Sequence, residues 1–397
     1  MRRAWIFLTP FASAAFGLLP LVGGLASSPS VRAQQDPPVV RPVPVEGSEA
    51  LAGFHQALLD LEAGRRDRVR VLHFGDSNVA ANLWTAVTRE RLQARFGDAG
   101  VGYLVPPPWG TRMSGGVVIR GGEAWLPRRY GPTREYGSPD GQWGLAGVAV
   151  EGAGGRATLE VRLPAMPSGG SVELHLLGRR RGGSLRVTLD EGPAEEIATD
   201  RPQIGLVRQR IELEAGLHVL RLRVTSARPV RLLGVVVESR SRGLVYESLG
   251  VNGHRQSALL TWNRSLLEQQ LATLRPDLVV LGYGANEAID PDLRLDRYRD
   301  QLDRALGRVR ALTPEASCLV VAPVAMCDVP RNAEITRIQR EVAPRHGCGF
   351  WNTPEVSGGP GSLCGWIRAG LVSRDRLHLS ASGYEILGTS MAEALAP

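Results

Sequence analysis

Apolar and polar positions follow two different patterns along the chain. Mostly apolar runs, such as the one from Val69 to Phe74, are followed by segments with apolar residues at helical spacing. This order of strand and helix resumes near Leu244 and continues to the end of the sequence. Strands that alternate with helices of this length form a parallel sheet covered on both faces. The pattern therefore predicts an α/β core.

The helical patterns have recognisable starts and stops. Pro276 ends one of them, and the last helix is predicted to begin near Ser382, which stands in capping-box spacing with Glu385. The other predicted helices span residues 49–64, 79–96, 257–274, 293–312 and 331–345.

The middle of the chain has a different character. From about Met113, glycines become dense, helical spacing disappears, and short segments carry Leu or Val on one side and Arg or Glu on the other. Such alternation is typical of half-buried strands in an antiparallel sandwich. We predict an all-β insertion over residues 113–242, which divides the α/β domain into residues 49–112 and 243–397. The predicted strands are ATLEVRLPA, SVELHLLG, SLRVTLD, QRIELEAG, HVLRLRVTS and VRLLGVVVES.

The first 33 residues are typical of a secretory signal peptide. Two arginines precede an apolar run, and small residues lead to a cleavage site between Ala33 and Gln34. The alternative is an uncleaved anchor, because the run from Ala4 to Ala26 is long enough to span a bilayer. Two prolines in the run favour cleavage, which leaves an exported, periplasmic or secreted protein without stable membrane insertion. Residues 34–48 are rich in proline and predict an extended linker.

Charge and cysteine content narrow the function classes. All 47 Lys+Arg residues are arginine and the formal net charge is +7, but no arginine-rich block alternates with aromatic residues, so we expect no nucleic-acid partner.

Four cysteines in an exported chain favour disulfides over a metal site. Three pairings are open. If the strands that begin at Cys318 and Cys348 are neighbours, these two pair, and Cys327 pairs with Cys364.

Polar residues follow the predicted parallel strands at four places. They are the segments GDS (75–77), ESLGVNGHRQS (247–257), GYGANEA (282–288) and SRDRLHLSASGYEIL (373–387). Parallel strands end at one edge of the sheet, so these segments are expected to meet there. Ser77 can then act as a nucleophile with His378 as its base, and Asp375 can orient the His378 ring.

The same segments contain donors for an oxyanion. They are the backbone N–H groups of Ser77 and Gly253 and the side-chain amide of Asn286. His254 follows the oxyanion glycine and is a candidate substrate contact. His73 lies within the first strand, while His175 and His218 lie in the β insertion, so none of these is assigned to the site. Asp76 is expected to cap a helix or hold the loop. The chemistry needs no metal and no organic cofactor.

These four segments, in this order, resemble the SGNH (GDSL-type) hydrolases. The wider stretches, over residues 68–112 and 243–390, look like the bacterial branch that contains peptidoglycan O-acetylesterases. The resemblance implies a flavodoxin-like three-layer core with a carbohydrate-binding-like β insertion. It also implies the roles already given to Ser77, Gly253, Asn286, Asp375 and His378. Members of this branch commonly have histidine and threonine where this chain has Asn78 and Ala285, which bears on substrate choice and makes Asn78 a candidate substrate contact.

The predicted function is that of an exported serine esterase. It removes acetyl groups from a cell-envelope polysaccharide, with peptidoglycan as the leading candidate, through an acetyl-enzyme on Ser77. The alternatives are an O-acetyltransferase with the same triad, a non-catalytic glycan-binding protein, and a lipase. The β insertion is expected either to dock the glycan or to act as a spacer.

Overall fold

The computed structural model describes residues 40–108, 113–129, 140–359 and 362–397, so the predicted signal peptide and the first part of the linker lie outside the described residues. The strands are β1 (Arg68–Gly75), β2 (Gly102–Leu104), β3 (Met113–Ser114), β4 (Val117–Gly121), β5 (Leu126–Arg129), β6 (Val148–Gly152), β7 (Thr158–Arg162), β8 (Gly170–Gly178), β9 (Ser184–Leu189), β10 (Ala194–Ala198), β11 (Gly205–Leu213), β12 (Val219–Val224), β13 (Val230–Ser239), β14 (Gly243–Gly250), β15 (Leu278–Gly282), β16 (Ser317–Val321) and β17 (Gly349–Trp351).

The helices follow the predicted positions with a few breaks. None in the described segments is long and apolar enough to cross a membrane. They are α1 (Ala52–Glu62), α2 (Ser77–Ala80), α3 (Trp84–Phe96), α4 (Arg264–Leu274), α5 (Ala285–Ala288), α6 (Leu295–Leu312), α7 (Pro330–Val342), α8 (Thr353–Val356), α9 (Leu363–Arg368) and α10 (Ala381–Leu395), with 3₁₀ turns at Ser48–Leu51, Gln256–Thr261 and Ala343–His346.

Five parallel strands form the central sheet in the order β14-β1-β15-β16-β17. Counted along the chain, this is the flavodoxin-like order 2-1-3-4-5, in which ligands bind where the first and third strands diverge. The three strands nearest this point end at the same level, because Gly75 pairs with both Gly250 and Gly282. The register therefore brings the segments after β1, β14 and β15 to one edge. The predicted α/β class with a parallel sheet is confirmed.

The central sheet is buried on both faces. Along β1, Val69 and Val71 belong to the core that α1, α3 and α10 cover, whereas Leu72 and Phe74 belong to the core beneath α4, α6 and α7. A parallel strand buried on both sides reads as a nearly continuous apolar run, which explains the sequence pattern. His73 lies on the first of these faces and is fully buried.

Along the chain, two antiparallel sheets come between helix α3 and strand β14. One has the order β10-β9-β12-β7-β4-β3 and the other β11-β8-β13-β6-β5, with β2 paired to β13. Their inward Leu and Val side chains form a shared apolar core. Because β2 begins at Gly102, the antiparallel pairing includes residues before the predicted boundary at 113. The assignment of these strands to an inserted carbohydrate-binding domain, with those bounds, stays a prediction.

A buried ion cluster joins the parallel sheet to the second antiparallel sheet. The guanidinium of Arg70 on β1 contacts the carboxylates of Glu247 on β14 and Glu238 on β13. The side chains of Arg70 and Glu247 are 6% and 0% exposed. Burying such charges is tolerated only when they are paired, so this contact fixes how β13 lies against the central sheet.

The structure contains the disulfides Cys318–Cys348 and Cys327–Cys364. Cys318 lies on β16, and Cys348 immediately precedes β17. The strands β16 and β17 are neighbours in the sheet. The pairing expected for adjacent strands is confirmed. Two disulfides fit an exported protein.

Two helix starts differ from the sequence expectation. The last helix is capped by Ser380, whose Oγ accepts a hydrogen bond from the Gly383 N–H, so the predicted capping box of Ser382 and Glu385 is wrong. Ser380 has the extended backbone that an N-cap requires, whereas Ser382 already lies within the helix. The helix predicted over 79–96 is interrupted at Asn82, which has a φ of 51°.

Candidate active site

Ser77 lies two residues after the end of strand β1. Gly75 has no room for a side chain, because a Cβ there would lie 2.2 Å from Cγ2 of Val79 and 2.7 Å from the Gly282 carbonyl oxygen. Asp76 then caps the short helix α2, its Oδ1 accepting the Asn78 N–H at 2.9 Å. Ser77 is the first residue of that helix, so its N–H has no intrahelical partner. The glycine, the acid and the hydroxyl each have a distinct structural role in this turn.

Ser77, His378 and Asp375 form a continuous hydrogen-bonded chain. Ser77 Oγ lies 2.8 Å from His378 Nε2, and His378 Nδ1 lies 2.7 Å from Asp375 Oδ2. Oδ1 of the same carboxylate accepts the N–H groups of Leu377 and His378 at 2.9 and 3.0 Å. The Asp375 carboxylate therefore orients the His378 ring through Oδ2 and stabilises its own loop through Oδ1. Partial burial raises the pKa of Asp375, but these hydrogen bonds outweigh it and hold the pKa below its ordinary value.

A hydrogen bond joins the segments that carry the oxyanion candidates Asn286, on α5, and Gly253. The Asn286 amide donates to the His254 carbonyl oxygen at 2.9 Å, which uses one of its two hydrogens. Gly253 has a φ of +77°, and a Cβ there would meet no atom within 4 Å. Position 253 therefore needs a glycine for its left-handed backbone, and the space beside that glycine is open.

Asp76 connects the nucleophile turn to the Asn286 segment. Its carboxylate also accepts the Ala285 N–H, and its own N–H lies 3.4 Å from the Gly282 carbonyl oxygen. The Gly75 carbonyl oxygen accepts the Val251 N–H at 3.1 Å, which joins the segment 247–257 to the nucleophile turn. Burial raises the pKa of Asp76. Both expected roles of Asp76, helix cap and loop anchor, are present together.

Asn78 is hydrogen-bonded within the protein interior. This side chain is only 6% exposed, its Nδ2 donates to Asp76, and its Oδ1 accepts the Tyr384 hydroxyl at 2.7 Å. The Asn78 side chain therefore supports the nucleophile turn, and its role as a substrate contact stays a prediction. Tyr384 is a supporting residue that sequence reasoning missed, since its position in an apolar helix pattern signals only burial.

The remaining histidines differ in environment. His73 Nδ1 bonds the Tyr246 hydroxyl at 2.7 Å, and burial lowers the pKa of His73 to about 3. His175 and His218 bond Glu173 and Asp190 within the antiparallel sheets. His254 is 5% exposed and lines an open cleft beside Gly253. Its role as a substrate contact stays a prediction.

Two comparisons relate this chain to known ester hydrolases. The GDSL-like Lipase/Acylhydrolase family model matches residues 223–386, which contain Gly253, Asn286, Asp375 and His378. A structure of a peptidoglycan O-acetylesterase superposes with a TM-score of 0.74 at 21% identity, covering 88% of this chain and 97% of that one. The chain is an ester-hydrolysing enzyme that resembles the SGNH hydrolases. Ser77 lies outside the family match, since the antiparallel strands separate it from the other segments.

Two further solved structures align with the esterase at low scores. They are a family two carbohydrate esterase from Cellvibrio japonicus (TM-score 0.31, 9% identity, 70% of this chain and 97% of that one) and a salicylyl-acyltransferase from a tetracycline biosynthetic pathway (0.32, 14%, 73% and 95%). Scores this low carry no argument. No curated protein matches the sequence.

Proposed function

We propose that the enzyme is an exported serine esterase that removes O-acetyl groups from a cell-envelope polysaccharide, with peptidoglycan as its leading substrate. The observation that carries the proposal is the hydrogen-bonded chain from Ser77 Oγ through His378 to Asp375, at 2.8 and 2.7 Å. A hydroxyl in this position loses its proton to the ring as it attacks a carbonyl carbon.

The reaction proceeds in two halves on the same groups. Ser77 Oγ bonds to the acetyl carbonyl carbon while its proton passes to His378 Nε2. The carbonyl oxygen becomes an oxyanion that accepts hydrogen bonds from the N–H groups of Ser77 and Gly253 and from the Asn286 amide. The bond to the sugar oxygen then breaks, and that oxygen takes the proton from His378. Water attacks the acetylated Ser77 by the same route, releasing acetate and restoring the hydroxyl.

Several observations support the substrate and the location. The solved structure that aligns at a TM-score of 0.74 is that of a peptidoglycan O-acetylesterase. The two disulfides suit an oxidising compartment, in keeping with a signal peptide over residues 1–33. The antiparallel sheets of residues 113–242 would either dock the glycan or act as a spacer. An esterase of this kind needs no cofactor and acts on the polysaccharide alone.

The test is acetate release from O-acetylated peptidoglycan by the purified protein, with acetylated xylan as the comparison. We expect Ser77→Ala to lower kcat by at least about a thousandfold. Ser265→Ala, which removes an exposed hydroxyl on α4, is the matched control and should match the wild type.

Two outcomes would change the assignment. Equal acetate release by the wild type and Ser77→Ala would refute the serine mechanism. Transfer of labelled acetyl groups to an added deacetylated glycan, with little free acetate, would identify an O-acetyltransferase that uses the same triad.

A further inference from the structure

The chain directly after Gly253 is joined to the segment that carries Asn286. The His254 carbonyl oxygen accepts the Asn286 side-chain amide at 2.9 Å. Two residues further along, the Gln256 N–H donates to Oε1 of Glu287 at 3.1 Å. Nearby residues on one segment therefore bond adjacent residues on the other, and these two segments carry two of the proposed oxyanion donors.

The contacts between the two segments differ in burial. Arg255, which lies between His254 and Gln256, pairs with Asp290 at 2.6 Å. Their side chains are 39% and 21% exposed, so water and salt screen this ion pair and it contributes little. Glu287 is only 1% exposed. Removing a buried acceptor leaves its donor unsatisfied, so the Glu287 contact is the one that holds the segments together.

The Glu287 carboxyl serves the protein interior. It also accepts its own N–H, its Oε2 is closed to solvent, and Asp76, Arg255 and the phenols of Tyr283 and Tyr298 surround it. Burial, together with Asp76, raises the pKa of Glu287 to about 8. Near pH 7 the carboxyl is therefore mainly protonated, and it places no full negative charge beside an oxyanion. A carboxamide has the same shape and also presents one oxygen acceptor.

Gly253 depends on its neighbours in the chain for its position. Its φ is +77°, and a Cβ there would meet no atom within 4 Å, so nothing packs against that side of the residue. Donors stabilise an oxyanion only when they lie about 2.7–3.1 Å from it. The spacing between the Gly253 N–H and the Asn286 amide must therefore be fixed by the contacts of the residues that follow the glycine.

We propose that Glu287 is a positioning residue for acyl transfer, whose hydrogen bond with the Gln256 N–H fixes the spacing between the Gly253 N–H and the Asn286 amide. This role rests on the proposed function, since both donors are assigned there to the oxyanion. Glu287 touches no reacting atom and acts through the two donors. Its loss should therefore lower kcat and leave KM nearly unchanged.

Three single variants test this hydrogen bond in the hydrolysis of 4-nitrophenyl acetate, with kcat and KM determined separately. Glu287→Leu removes the acceptor and should lower kcat about tenfold, with KM within about twofold of the wild type. Glu287→Gln keeps the acceptor and should retain kcat within about twofold. Gln256→Pro removes the donor at the first residue of a 3₁₀ turn, a position that tolerates proline, and should lower kcat as Glu287→Leu does.

Gln270→Leu is the matched control. Gln270 is likewise 1% exposed, and its Nε2 donates to the Trp143 carbonyl oxygen, outside both segments. This variant should keep the wild-type kcat once each value is corrected for the folded fraction, which thermal unfolding gives.

A double-mutant cycle shows whether Glu287 acts through the oxyanion donors. In the Asn286→Ala background, Glu287→Leu should lower kcat by only about threefold, because one of the two donors that it positions is already absent. A change that merely weakened the fold would cost the same factor in both backgrounds.

The proposal is overturned if folded Glu287→Leu or Gln256→Pro keeps the wild-type kcat, if Glu287→Gln loses as much as Glu287→Leu, or if Glu287→Leu costs the same factor in both backgrounds. Should Glu287→Leu fail to fold, Gln256→Pro decides the question by its kcat. Equally slow hydrolysis by the wild type and Ser77→Ala refutes the proposed function, whereas the outcomes above, with an active wild type, refute only the positioning role.

Discussion

Replacement of Asp375 by asparagine isolates the orienting role of the carboxylate. The asparagine oxygen can still accept the Leu377 and His378 N–H groups that Oδ1 accepts at 2.9 and 3.0 Å, so the loop keeps its fold. The amide nitrogen in place of Oδ2 would instead donate to His378 Nδ1. The ring then carries its proton on Nε2, facing the Ser77 hydroxyl, and cannot accept the proton of that hydroxyl.

The size of the effect follows from the exposure of the pair. The side chains of His378 and Asp375 are 34% and 46% exposed, so the lost charge-assisted hydrogen bond is at the weak end of its range, about 1.5 kcal/mol. Before Nε2 can accept a proton, the asparagine N–H contact that holds the wrong tautomer must break, which costs a further ~1.5 kcal/mol. Together they raise the barrier by about 3 kcal/mol, which lowers kcat roughly a hundredfold.

The assay is the hydrolysis of 4-nitrophenyl acetate, with kcat and KM determined separately. Asp300→Asn, which removes an exposed carboxylate from α6, is the control for net charge. Thermal unfolding of both variants shows that the loop and the fold are retained. A fall in kcat of less than about threefold in Asp375→Asn would refute the orienting role.

Three further predictions concern separate features of the molecule. Asn286→Ala should lower kcat by about 10²–10³ with little change in KM; a rise in KM with kcat unchanged would contradict its oxyanion role. Arg70→Met leaves the buried Glu247 without its partner, while Glu238 keeps its ion pair with Arg68, and should lower the free energy of unfolding in urea by about 3–5 kcal/mol; a loss below about 1 kcal/mol would show that the cluster does not hold the sheets together. Burial raises the pKa of Glu287 to about 8, against about 4.3 in the unfolded chain. Between these two pH values the folded protein therefore binds one more proton than the unfolded chain does. Stability should therefore fall as pH rises from about 4.3 to about 8, and Glu287→Gln should flatten this fall in urea midpoints; parallel slopes for both proteins would be evidence against it.

The proposed catalytic residues could be predicted because local sequence marks them. An apolar strand that ends in glycine, with polar residues within the next few positions, identifies a turn at the sheet edge, and the common register of Gly75, Gly250 and Gly282 brings those turns together. The disulfide pairing followed from the adjacency of two strands. These inferences need only the order and type of the elements.

The features that escaped prediction depend on contacts between distant residues. Asn78 is buried by Tyr384, which lies 306 positions away, and nothing near Asn78 in the sequence indicates this contact. Arg70 interrupts an apolar strand, yet its acidic partners are 168 and 177 positions further along the chain. The choice between Ser380 and Ser382 as the helix cap depends on backbone conformation that spacing alone does not specify.

Labelling with a fluorophosphonate shows whether Ser77 is a nucleophile activated by His378. The protein is labelled, and the modified peptide is mapped by mass spectrometry. We expect one labelled site, at Ser77, which is absent in Ser77→Ala and labelled far more slowly in His378→Ala. Labelling at a different serine, or labelling at Ser77 that proceeds equally fast without the histidine, would contradict it.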